Sequence, residues 1–179
     1  TTGLDPKTGD RIVEIGCVEL INHLPTGRKY HQYINPERDM PDGAFQVHGL
    51  SEEFLKGHPI FSEIVYAFLD FVGDGLLVIH NANFDMGFIN AELLKLGLQK
   101  LDMKQSLDTV RLARQKFPGA PASLDALCKR FNIDNSNRQL HGALLDARLL
   151  ADVYLELIGG RQKDLELTGN SASDDVAIT

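Results

Sequence analysis

Apolar positions along the chain switch between two periods. Residues 11–21 (RIVEIGCVELI) and 29–35 (KYHQYIN) are rich in Val, Ile and Tyr. The His23-Leu24-Pro25-Thr26-Gly27 stretch separates them, which predicts a β-hairpin or meander. Residues 41–56 read as short helical turns, with Ser51 as an N-cap ahead of Glu52 and Glu53 in the first turn. An amphipathic helix is predicted over 59–72, opened by Pro59 and closed by Gly73. The run 76–80 (LLVIH) reads as a short buried strand of the parallel kind. A helix over about 83–96 follows, stopped by Gly97, then a short strand over 105–109 and a helix over 110–116 ended by Phe117-Pro118-Gly119. Ser123 caps a helix of about 124–131, and 142–158 is the most regular helix of the chain. Strands first and strand–helix alternation afterwards predict an α/β domain with a mixed sheet over 1–160. Residues 161–179 are polar without an apolar face and predict a flexible tail or linker.

Two aspartates interrupt this pattern. In the 142–158 helix Asp146 stands three, four and seven residues before Leu149, Leu150 and Val153, on the apolar face. In the 83–96 helix Asp85 precedes Phe88, Ile89 and Leu93 in the same way. A core-facing carboxylate costs several kcal/mol, as an order of magnitude, unless it is compensated. A capping bond to backbone N–H groups, an ion pair and a metal ion all meet that need, and periodicity leaves the three open. His141 lies five residues before Asp146 at the end of a polar loop. There it reads either as a solvated loop residue or as a group placed to take a proton from a metal-bound water. Asp108 and Asp125 read as structural: one suits an N-cap, the other a first helical turn where the dipole favours an acid.

Composition narrows the function classes. With 18 Lys+Arg against 25 Asp+Glu the net charge is −7, which argues against binding nucleic acid through a broad basic surface. It leaves room for an enzyme in which a cation brings phosphate to carboxylates. Cys17 and Cys128 are too far apart for a Cys-x-x-Cys pair and sit among apolar residues, as buried thiols do. No apolar run approaches the roughly 18 residues of a bilayer span, so a soluble, cytoplasmic protein is expected. The chain opens at Thr1-Thr2-Gly3 without an initiator Met, the start expected of a sequence that begins inside a domain.

Thr1-Thr2-Gly3, His80-Asn81-Ala82-Asn83-Phe84-Asp85 and His141-Gly142-Ala143-Leu144-Leu145-Asp146-Ala147 together resemble the DEDDh 3′–5′ exonucleases. Among these the resemblance is strongest to the proofreading exonucleases of bacterial replicative polymerases. Phe45 to Leu50, Ser123 to Cys128 and Ile133 to Ser136 extend it. The resemblance implies a ribonuclease-H-like fold and release of nucleoside monophosphates from a DNA 3′ end. It also implies two divalent ions, Mg²⁺ or Mn²⁺, and a polymerase catalytic subunit as partner. By matching position, Asp85 and Asp146 become acidic members of the metal site and His141 the general base. Thr1, Val47, His48 and Phe84 come to lie around the terminal nucleotide. Phe84 and Val47 read equally as core, and His48 as a loop residue. The family's first motif, Asp-x-Glu ahead of Thr-Thr-Gly, falls outside this sequence, and Glu14 and Glu19 do not take its place by position. In the tail, Gln162, Leu165 and Leu167 resemble the short peptides that dock on a sliding clamp. An RNA-trimming exonuclease and a non-catalytic scaffold of the same fold are the competing readings.

Overall fold

The computed structural model describes residues 1–140 and 142–160. Strand β1 (Glu14–Ile21) pairs antiparallel with β2 (Leu24–Tyr33). Helices α1 (Asp42–His48), α2 (Glu52–Lys56) and α3 (Phe61–Val72) follow. Strand β3 (Leu77–Ile79) leads into α4 (Ala82–Lys95), and β4 (Ser106–Asp108) into α5 (Thr109–Lys116). Helices α6 (Leu124–Arg130) and α7 (Ala143–Leu157) complete the described part.

The hairpin turn falls at Asn22 and His23, with φ of +51° and +68°, ahead of the 23–27 stretch. Two left-handed residues twist in the sense the flanking strands require, and Asn tolerates that conformation well. Pro25 and Gly27 are consequently inside β2, opposite an irregularity between Val18 and Leu20. An edge strand tolerates a proline that a central one does not. Helix α3 starts two residues later than Pro59 predicts, because the Pro59 carbonyl accepts the Asn35 N–H at 2.9 Å and stays extended. Ser51 and Ser123 cap α2 and α6 as expected, each accepting a backbone N–H from three residues on.

Strands β3 and β4 run parallel, Leu77 beside Ser106 and Ile79 beside Asp108. The expected α/β architecture with both strand senses is present, and the described strands form two pairs, one antiparallel and one parallel. No described strand bridges the β1 and β3 edges, which is also why β3 is half-buried rather than buried.

Two apolar clusters hold the layers together. Ile12, Ile15 and Ile34 pack on Phe61, Val65 and Phe68 of α3 and on Phe88 and Leu93 of α4. Ala113, Leu124, Leu127 and Cys128 pack on Leu149, Val153 and Leu157 of α7. A buried ion pair ties the first cluster down: Arg11 Nε and a terminal nitrogen donate to the two oxygens of Glu92 at 2.6 and 2.8 Å. Helix α7 crosses β1 at Gly16, where a Cβ would stand 2.4 Å from the Ala143 carbonyl carbon and the Leu144 nitrogen. Only glycine allows that approach. Cys17 is half-buried and Cys128 buried, both as free thiols. No helix among the described residues is long and apolar enough to cross a membrane.

Candidate active site

The site is assembled where three chain reversals meet: the β3–α4 turn, the start of α5 and the start of α7. Asn81, the N-cap of α4, has a left-handed conformation, φ +71°. Its backbone N–H donates to Asp108 Oδ1 at 3.1 Å, and the Val110 N–H donates to the same oxygen at 2.9 Å. Asp108 is thus the N-cap of α5, as the sequence predicts, and also pins the entrance of α4. His80 lies against Thr109, Nδ1 to Oγ1 at 2.8 Å, while the fully buried Thr109 hydroxyl donates to the Ile79 carbonyl at 3.2 Å. Burial lowers the His80 pKa, so the neutral ring is favoured at cellular pH.

Asp85 projects from the first turn of α4. Its side chain reaches solvent, which corrects the expectation of a core-facing position, yet the concave surroundings desolvate it enough to push its pKa up to about 6. Among the described residues no side chain hydrogen-bonds or ion-pairs with it, so neither a side-chain donor nor an arginine compensates its charge. Asp146, in the first turn of α7, is compensated by an ion pair. Arg138 Nε donates to Oδ1 at 2.6 Å and its terminal nitrogen to Oδ2 at 3.0 Å. The same guanidinium reaches Asp125 at 2.8 Å, and these bonds hold the Arg138 pKa above its ordinary value. Asp125 keeps its predicted place in the first turn of α6 and additionally accepts from Asn135 Nδ2 at 2.8 Å.

A third carboxylate, Glu14, comes from β1. Its side chain is 8% exposed. One oxygen accepts the Ala143 N–H at 3.1 Å and the other accepts from His31 Nε2 at 2.8 Å. Glu14 therefore supplies the N-terminal capping bond that Gly142 lacks a side chain to make. Sequence reasoning missed this role, because the contact joins positions 129 residues apart. It missed Arg138 for a similar reason, as an arginine in a polar loop carries no periodic signal.

The expected substrate-binding residues divide. Thr1 and His48 are brought together: His48 Nε2 donates to the Thr1 carbonyl at 3.1 Å while Nδ1 accepts the Leu50 N–H at 3.1 Å. These two bonds fix the tautomer, and burial lowers the His48 pKa. Val47, on the exposed side of α1, is 49% exposed. Phe84 is half-buried against the first cluster, its ring 5.0 Å from that of Phe88. His141, Gln162, Leu165 and Leu167 lie outside the described residues.

Among the described residues no group of three or more His, Cys, Asp or Glu is placed to hold a metal ion by itself. The donor chemistry nevertheless fits a hard cation. Mg²⁺ is commonly held by only one or two carboxylates, with waters and substrate phosphate completing its shell. Asp85 offers a desolvated carboxylate that no described side chain hydrogen-bonds or ion-pairs.

An exonuclease family model, RNase T, matches residues 1–154. The chain belongs to this exonuclease family. It is 55% identical over 175 residues to the DNA polymerase III subunit epsilon of Rickettsia conorii, spanning 96% of this chain and 76% of that protein. The subunit of the same name from Escherichia coli is 48% identical over 168 residues, spanning 90% and 69%. The activity is accordingly that of a 3′–5′ proofreading exonuclease, and use of divalent metals is typical of the family. Among solved structures, Exonuclease X in complex with 5′ overhanging duplex DNA superposes with a TM-score of 0.69 at 24% identity, covering 88% of this chain and 86% of that one. The nuclease domain of 3′hExo, a DEDDh family member, gives 0.69 at 17% identity over 83% and 80%. These likenesses establish the ribonuclease-H-like fold.

Proposed function

We propose that this exonuclease removes nucleoside monophosphates from a DNA 3′ end beside a polymerase III catalytic subunit, with Asp85 and Asp146 holding two divalent ions, Mg²⁺ or Mn²⁺. The observation that carries this reading is the desolvated Asp85 carboxylate that no described side chain pairs with, together with the family assignment. Asp108 acts electrostatically on both Asp85 and His80, and His80 in turn feels Asp146, so the helix starts share one electrostatic neighbourhood.

When bound, the ions supply an activated water and stabilise the leaving oxygen. The chain's own residues do the rest. Asp85 is available for a cation as it stands, whereas Asp146 must exchange at least one of its Arg138 bonds. His141, three residues beyond Arg138 in sequence, accepts the proton of the attacking water. The neutral His48 holds the Thr1 backbone, and Thr1, Val47 and His48 line the seat of the terminal nucleotide. Phe84, anchored on Phe88, presents its remaining face for stacking. The relatives' names supply the polymerase partner, and Gln162, Leu165 and Leu167 supply a contact for a sliding clamp.

The test is release of mononucleotides from 3′-labelled single-stranded DNA by the full-length protein in Mn²⁺, run beside RNA of the same sequence. Stepwise shortening of DNA that EDTA abolishes is expected. Preferential cleavage of RNA would overturn the DNA assignment, and His141→Ala with unchanged turnover would remove His141 from proton transfer.

A further inference from the structure

A cleft of about 620 Å³ runs from the candidate active site along α5. It is lined by His80, Asn81 and Asn83 at the entrance of α4, by Arg111 and Arg114 of α5, and by Ser123. The arginines are three residues apart on one helix face, and both are exposed.

The other cations near this helix are engaged. Lys116 donates to the Glu156 and Leu157 carbonyls at 3.2 and 2.9 Å, at the end of α7. Arg130 lies over the Phe117 ring, 4.3 Å from its centroid. Among the described residues, Arg111 and Arg114 make no hydrogen bond or ion pair. In a chain of net charge −7, two unengaged guanidinium groups lining one polar cleft form a local positive field. Asp108, also in the lining, subtracts one charge and is held in place by two backbone N–H groups, which leaves the guanidinium groups in excess. Guanidinium groups match phosphate oxygens with two parallel donors, and Asn81 and Asn83 in the same lining add amide donors and acceptors.

We infer that this cleft is the track for the strand behind the reacting 3′ end, with Arg111 and Arg114 each holding a phosphodiester of single-stranded DNA. The inference rests on the exonuclease reading for the strand's polarity and on the cleft alone for its binding. It answers how an acidic protein retains its substrate: two local cations act in place of a basic surface.

The experiment separates the two. Binding of a fluorescein-labelled DNA oligonucleotide to the full-length protein is measured over a range of KCl in Ca²⁺, beside cleavage of the same oligonucleotide in Mn²⁺. Arg111→Gln/Arg114→Gln is expected to weaken binding about tenfold or more at low salt. It should also reduce the slope of log Kd against log[KCl] by about 1.4, the value for two single-strand phosphate contacts. Arg111→Lys/Arg114→Lys should keep the slope, and Lys95→Gln/Lys100→Gln, away from the cleft, should change nothing. An unchanged slope in the folded glutamine variant overturns the inference while parent cleavage leaves the exonuclease reading intact. A slope lost for RNA and not for DNA overturns the choice of strand. A lost slope in a protein that cleaves nothing keeps the cleft as a DNA site and removes the exonuclease reading.

Discussion

At the start of α4, Asp85 stands desolvated without a partner side chain; at the start of α7, Asp146 is gripped by both arms of Arg138. The two positions have the same sequence pattern, an acid opening a row of apolar residues, and the structure resolves them differently. Asp146 has a ready ion pair and is stable as it is. Asp85 has no side-chain partner, and desolvation outweighs its backbone hydrogen bond and raises its pKa, as at sites kept for a ligand. Glu92 gives the third case: fully enclosed, bidentately paired with Arg11 and remote from the site, it is structural. A carboxylate's partner, more than its burial, separates these roles.

The largest effect is expected where the structural pair is broken. Arg11→Met strands Glu92, whose side chain is 4% exposed, and should cost about 3–5 kcal/mol in urea unfolding. A loss below about 1 kcal/mol would show that Glu92 escapes to water and would erase its distinction from Asp146. Next comes Gly16→Ala. Its Cβ meets α7 backbone at 2.4 Å, so the helix start must shift, at about 1–3 kcal/mol by thermal unfolding and with weakened Mn²⁺ binding through a displaced Asp146. Arg138→Gln removes the competitor for Asp146. A stability loss of about 1.5–3 kcal/mol with tighter Mn²⁺ binding is expected, because hydrogen bonds to charged groups are worth about that much. Weaker Mn²⁺ binding in this variant would mean that Arg138 orients the site instead of competing with the ion.

The pH response of Asp85 sharpens the contrast further. Its folded pKa, up to about 6 from an ordinary 3.8, means the native state holds the proton more tightly than the unfolded chain. Its contribution to stability is therefore fully present below about pH 4, declines as pH climbs towards 6, and stays at the lower level above that. Asp85→Asn removes the decline, so the Tm of the variant relative to the parent should rise across that window. A flat difference would place Asp85 in ordinary solvent.

Much of this was legible in the sequence and some was not. The helix termini at Ser51, Ser123 and Asp108 were readable because capping is local chemistry. The paired acids were readable because periodicity exposes a charge on an apolar face, although Asp85 turned out to reach solvent. The partners were not: Arg138 and Glu14 meet α7 across a loop and from a distant strand, contacts that tertiary packing alone creates. The hairpin turn was misplaced because Pro25 and Gly27 read as breakers, while an edge strand with an irregular register absorbs them.

The most direct test of the central claim is Mn²⁺ binding to the full-length protein, followed by electron paramagnetic resonance, for the parent, Asp85→Asn and Asp146→Asn. If the two aspartates share the ions, each variant should bind at least tenfold more weakly while keeping a cooperative unfolding transition. Parental Mn²⁺ affinity in both folded variants would contradict the assignment and leave Asp85 and Asp146 as two unrelated helix-start acids.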